Sequence, residues 1–118
     1  MEVKEAVLAF SQSEKVKTGL IWASQALDMT GALAEPEKRG AVKTIETLLG
    51  MLMHEIRLAR NVSGGTHWEA VATHLDQALI MIKSGVAQES VSQLTRALSL
   101  VTTIGQRSMT VLKTHDLV

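Results

Sequence analysis

The sequence has no cysteine and no tyrosine, a single proline, and only three aromatic residues, two Trp and one Phe. Without thiols the chain forms no disulfide, no thiolate metal site and no covalent haem link, which suits a reducing compartment. One proline and little strand-like alternation point to an all-α fold. With aromatics so scarce, Leu, Ala, Val, Ile and Met must fill the core. Charge of one sign is also missing, because twelve Lys plus Arg balance twelve Asp plus Glu. No basic patch emerges, which disfavours nucleic acid and anionic membranes as partners. No apolar run is long enough to span a bilayer, and the charged start "MEVKEAVLAF" does not read as a secretory signal. A cytoplasmic setting is therefore expected. The 118 residues suit one domain, 1–118. A domain of this size buries roughly 65% of its unfolded surface and needs no staples.

Four main helices are legible. In the first, from about Ser13 to Thr30, Val16, Leu20, Ala23 and Leu27 recur at three- and four-residue spacing, one helical face. Upstream, Val3, Val7 and Phe10 keep the same period but are rotated by about 100° from that face. A break at "SQS", residues 11–13, is expected, with Ser11 and Glu14 as a capping box and a short extra helix before it. A continuous kinked helix is the alternative. Gly31 and Pro36 punctuate the next turn. The second helix runs from about Pro36 to Asn61 on Val42, Ile45, Leu49, Leu52, Ile56 and Ala59. "NVSGGT" ends it, and "THWE" predicts a capping box from Thr66 to Glu69 at the start of the third. That helix carries Trp68, Val71, Ala72, Leu75, Leu79 and Ile82, and Gly85 stops it. The fourth, from about Ala87 to Lys113, carries Val91, Leu94, Leu98, Val101 and Leu112.

Short connections favour antiparallel neighbours, so the expected architecture is an antiparallel up-and-down four-helix bundle with a short extra N-terminal helix. "ALIMIKSGVAQESVSQLTRALSL", residues 78–100, resembles a tetratricopeptide helix pair through Ala78, Gly85, Ala97 and Leu98. No second copy follows, so the resemblance implies a helical hairpin and not a solenoid. Charge is uneven along the chain. Residues 1–60 hold sixteen of the twenty-four charged side chains, whereas residues 61–118 hold thirteen of the twenty Ser and Thr. Ser90, Ser92, Thr95, Ser99, Thr102 and Thr103 would then give the fourth helix a neutral outer face.

The patterns that carry chemistry are missing. No Glu has His three residues later, as a di-iron bundle needs. No His has another four residues later, so the zincin pattern is absent. His67 and His74 lie about 10.5 Å apart along one helix, too far to share a metal. "SGG" lacks the strand and lysine of a phosphate loop. Paired acids on an apolar face, which acid–base catalysis would use, are not found. Neither metal, cofactor nor catalysis is expected.

His54, in "MLMHEIRLAR", is the one place for a sharper idea. On a helical wheel it falls in the middle of the polar face of the second helix, and an ordinary solvated histidine is the simplest reading. Its surroundings nevertheless suit phosphate. Arg57 lies at i+3 with paired N–H donors, and Gly50 one turn back leaves room. "HEIRLA", residues 54–59, resembles the histidine-phosphotransfer motif, which has an aliphatic residue, a basic residue and a small residue at fixed offsets from the histidine. His54, Ile56, Arg57 and Ala59 match, and Gly64 falls where that family often has another glycine. The resemblance implies a four-helix bundle with His54 as an exposed phospho-acceptor. Leu58 stands where the family has glycine, and Arg57 replaces its lysine. "HEIR" also resembles the dimerisation helix of histidine kinases, but no proline follows.

Three helices carry more apolar residues than the three-sevenths face a bundle requires. Leu48, Met51 and Leu58 lie outside the core arc of the second helix. Trp22, Ala26, Met29 and Leu33 do so on the first, and Ala97, Leu100, Ile104 and Val111 on the fourth. The extra N-terminal helix and the C-terminal tail could cover part of this surface, or a partner could. Self-association is the simplest partner, since most soluble oligomers are symmetric homodimers. Methionine also suits an adaptable surface. The expected function is a small non-catalytic α-helical protein–protein interaction module, adaptor or chaperone-like, forming a homodimer. Its candidate interface is Trp22, Met29, Leu48, Met51, Leu58, Ile104 and Val111. The alternative is a phosphorelay module using His54 with Arg57.

Overall fold

A computed structural model of the chain describes residues 1–63 and 65–118. Among them every regular element is helical: α1 (Val3–Thr30), α2 (Glu37–Ser63), α3 (Thr66–Lys83) and α4 (Val91–Thr114). A 3-10 turn at Ala87–Ser90 leads into α4. The four helices pack against one another, α1 on α2 and α4, and α3 on the same two. Side-chain pairings fix their directions. Gln12 meets Glu55 while Gly19 meets Leu52, so residue numbers rise on α1 as they fall on α2. Ser13 meets Gly105 and Leu27 meets Gln88, so α4 also opposes α1. The resulting rod measures 53 × 22 × 18 Å.

All four helices bury a seam that alternates three and four residues, the spacing of left-handed bundles. On α1 the buried seam is Ala6, Ala9, Ser13, Val16, Leu20, Ala23, Leu27 and Thr30. It runs through the expected break. α1 is a single helix of 28 residues, so the expected short extra N-terminal helix is part of it. The upstream stripe of larger residues does not mark the buried edge. Val7 is exposed, and Val3 and Phe10 are only half-buried. Alanine and serine occupy the seam instead, letting the partner helices approach closely. A Cβ added at Gly105 on α4 would stand 2.9 Å from Ser13 Oγ. The Ser11–Glu14 capping box is replaced by a Glu14–Lys17 ion pair within the helix.

Helix α2 follows its expected stripe, burying Ile45, Leu49, Leu52, Ile56 and Ala59, with Met53 added. Trp68 anchors the start of α3 in the core, and its indole N–H donates to Ser63 Oγ at 3.1 Å. The capping box expected at "THWE" does not form. Thr66 is already the first helical residue, preceded by Gly65 at φ +99°, and Glu69 pairs with Arg60 instead. Gly85 ends α3 as expected, at φ +86°. Its N–H bonds Ile82 O and the next N–H, of Val86, bonds Met81 O, the Schellman arrangement.

On α4 the buried seam is Leu94, Ala97, Val101, Ile104 and Ser108. Ile104 and Ala97 are thus core residues, because α4 packs on both α1 and α3 and needs a broader apolar arc. Of the apparent surplus on this helix, Ala97 and Ile104 are absorbed internally, while Leu100 and Val111 are half-buried. Ser90, expected outside, is fully buried. The rest of the neutral outer face is real. Ser92, Thr95, Thr102, Thr103, Thr110 and Thr114 each donate to a carbonyl three or four residues back.

Candidate functional site

The surplus apolar residues of α1 and α2 do reach the surface. Trp22 is 66% exposed, Met29 74% and Met51 63%, while Leu48 and Leu58 are partly exposed. The opposed pairing of the two helices brings most of them to one face. Residues 18–27, "TGLIWASQAL", carry no charge, and neither do residues 47–53, "TLLGMLM". The Gly19–Leu52 contact lays these two uncharged runs side by side. Of the remaining candidates, Val111 is half-buried near the end of α4, and Ile104 lies at 4% exposure in the core, out of reach of a partner.

A polar bridge closes one end of the face. Gln12 donates its amide to both the backbone carbonyl of Glu55, at 3.2 Å, and its carboxylate, at 3.1 Å. Lys15 Nζ stands 3.4 Å from the same carboxylate. The Gln12 hydrogen bond chiefly, and the Lys15 charge beside it, hold the Glu55 carboxyl below its usual range against an opposing desolvation. Toward the other end lies an apolar groove of about 380 Å³, lined by Ala26, Met29, Leu33, Ala41, Thr44 and Ile45 with Thr30. Its polar atoms are satisfied within the chain. Thr30 Oγ1 donates to Leu27 O, and Thr44 Oγ1 to Gly40 O. Gln88 of the 3-10 turn reaches across to Leu27 O and Thr30 Oγ1, fastening the end of α1. Ala41 and Thr44 gave no sequence signal, since small residues become a groove only once the register of α1 on α2 is known.

His54 is exposed on α2, with Met51 one turn before it and Leu58 one turn after. It differs from the other histidines. His74 bonds Gln93 at 2.8 Å, His67 contacts Arg107, and His115 contacts its own helix at Val111 O. Among the described residues His54 has no hydrogen-bond or ion-pair partner. Arg57 is likewise exposed, and the space above Gly50 is open. Leu58, one turn on, is 45% exposed. Gly64 lies outside the described residues.

Among the described residues no group of three His, Asp or Glu side chains could hold a metal, and no helix is long and apolar enough to cross a membrane. No family model matches the chain, and comparison with curated proteins and with solved structures finds no similar protein.

Proposed function

We propose that this chain is a non-catalytic protein–protein interaction module, adaptor or chaperone-like, that self-associates through the α1–α2 face. Its scaffold is read as an antiparallel up-and-down four-helix bundle, supported by the opposed pairings of α1 with α2 and α4. The cysteine-free composition supports work in a reducing compartment such as the cytoplasm. One observation carries the reading: Trp22, Met29 and Met51 are each more than 60% exposed on one charge-free face. Contiguous exposed apolar patches on small proteins often serve as interaction sites. Interface cores are depleted of charge and enriched in Trp and Met, as this face is.

Sedimentation equilibrium beside circular dichroism tests the reading. Met51→Glu is expected to shift wild-type dimer toward monomer while leaving helicity unchanged. A wild-type chain that stays monomeric at hundreds of micromolar removes self-association.

A second reading keeps His54 as a phospho-acceptor with Arg57 as phosphate clamp. The unpartnered imidazole favours it, as does the open surface at Gly50. Incubation with acetyl phosphate then labels the wild type and not His54→Gln, with acetate leaving. Equal labelling, or none, ends this reading.

A further inference from the structure

The end of α3 returns to the start of α2, and an open cleft of about 350 Å³ lies between them. That is the size of a small-molecule site. Lys38, Arg39 and Lys43 line it from α2 and Lys83 from α3, with the apolar side chains of Val42 and Ile82 between them. Glu35 and Glu46 are its acidic residues, and Glu35 pairs with Arg39 at 3.5 Å. Among the described residues, Lys38, Lys43 and Lys83 have no carboxylate partner. The chain has seven lysines; Lys15 and Lys17 are ion-paired, and three of the other five meet here. The balanced charge of the whole chain thus hides a local excess, in which three ammonium groups stand against the one carboxylate of Glu46.

Like charges gathered at one place repel, and an anion set among them turns that repulsion into attraction. We infer that this cleft binds a small organic phosphate with hydroxyl groups on its carbon body, of the size of a sugar phosphate. The site is separate from the α1–α2 face and does not depend on self-association. Each part of the ligand follows from a part of the lining. Lysine binds phosphate as a point charge, and three lysines suit a doubly charged head. A planar carboxylate is better matched by the paired N–H donors of arginine, but Arg39 is already engaged by Glu35. Glu46, half-buried and without an ion-pair partner among the described residues, accepts hydrogen bonds and so suits hydroxyl groups. Val42 and Ile82 offer the carbon skeleton an apolar surface. Past Lys38 and Gly85 the cleft continues into a recess of about 190 Å³ along the 3-10 turn, where the body of the ligand can extend. Lys83 joins the two lysines of α2 only because α3 folds back along that helix.

The site is tested on the intact chain by amide NMR titration with glucose 6-phosphate and, separately, with inorganic phosphate. Low ionic strength is used, where surface charges are screened least. Saturable shifts confined to residues 38–46 and 82–87 are expected, with glucose 6-phosphate bound more tightly than inorganic phosphate. Lys38→Gln and Lys83→Gln should each weaken both by about two- to fivefold, as loss of one exposed ion pair does. Lys38→Arg, which keeps the charge, should bind like wild type. Glu46→Gln should strengthen binding of inorganic phosphate, because it removes the one opposing charge. Lys113→Gln, in the last turn of α4 at the opposite end of the rod, should change nothing. Circular dichroism confirms that each variant keeps its helices. Shifts that never saturate, or that spread alike over every lysine, reveal an adventitious ion only and overturn the site. So do Lys38→Gln and Lys83→Gln chains that bind like wild type. Inorganic phosphate bound as tightly as glucose 6-phosphate overturns the organic ligand.

Discussion

The amide of Gln12 on α1 spans the gap to α2 and donates twice to Glu55, to its backbone carbonyl and to its carboxylate. That pair of hydrogen bonds to a single residue ties the two helices at a fixed register, and from this register follow both the charge-free face and the groove.

Acid should loosen this tie. Glu55 has a lower pKa folded than unfolded, so its contribution to stability is complete above the unfolded value, about 4.3. It declines as pH falls through that value and is lost once pH passes below the folded one. Glu55→Gln should flatten the acid limb of the stability profile and lower stability near neutrality. Urea unfolding at a series of pH values measures both effects. The carboxylate is 30% exposed, so the effect is modest.

Leu49 is fully buried at the middle of the α2 seam. Leu49→Ala should cost about 2–5 kcal/mol. A near-neutral result in urea unfolding contradicts the packing of α2.

The glycines of α4 and α2 should respond in opposite directions to the same change. Gly50 faces open space within α2, so Gly50→Ala should gain up to about 1 kcal/mol of helix propensity. Gly105 faces Ser13 Oγ, so Gly105→Ala should destabilise, and adding Ser13→Ala should restore the loss. A double-mutant cycle measures the coupling; additive effects would show that the close approach of α1 and α4 is not real.

At the start of α3, Thr66→Ala should change stability by less than about 0.5 kcal/mol, since no capping bond is lost. Gly65→Ala should cost about 1 kcal/mol or more, because φ is +99° there. Thermal melts of the two variants distinguish a glycine-dependent entry from a side-chain cap.

The three- and four-residue spacing of large apolar residues made α2 and most of α3 legible, since Leu and Ile there both mark the seam and fill it. Size does not mark the seam on α1. Ala6, Ala9 and Ser13 define its buried edge, and small residues carry no hydrophobic signal strong enough to outweigh Val7 and Phe10 nearby. On α4 the spacing errs the other way, setting Ile104 apart as surplus because the number of neighbours a helix has is not written in its own residues. Thr66 does not cap α3, because Ser, Thr and Glu at the right spacing also occur without the backbone geometry a cap needs. Of the candidate site, Trp22, Met29, Leu48, Met51 and Leu58 were legible as apolar residues outside the seam. The groove and the Gln12–Glu55 bridge were not, for both depend on which residues of two helices come level.

The rod-like outline has a geometric cost. A compact chain of 118 residues has a radius of gyration of about 13.5 Å, whereas this one has 15.5 Å. A monomer of 12.8 kDa exposes about 6,300 Å² on average, and this chain exposes 6838 Å². The elongated outline therefore leaves more surface exposed than a rounder chain of this mass would. Joining two rods end to end would keep that excess, whereas laying them side by side rounds the particle and removes it. The elongation of the bundle thus makes its long sides, rather than its ends, the larger surface open to any partner.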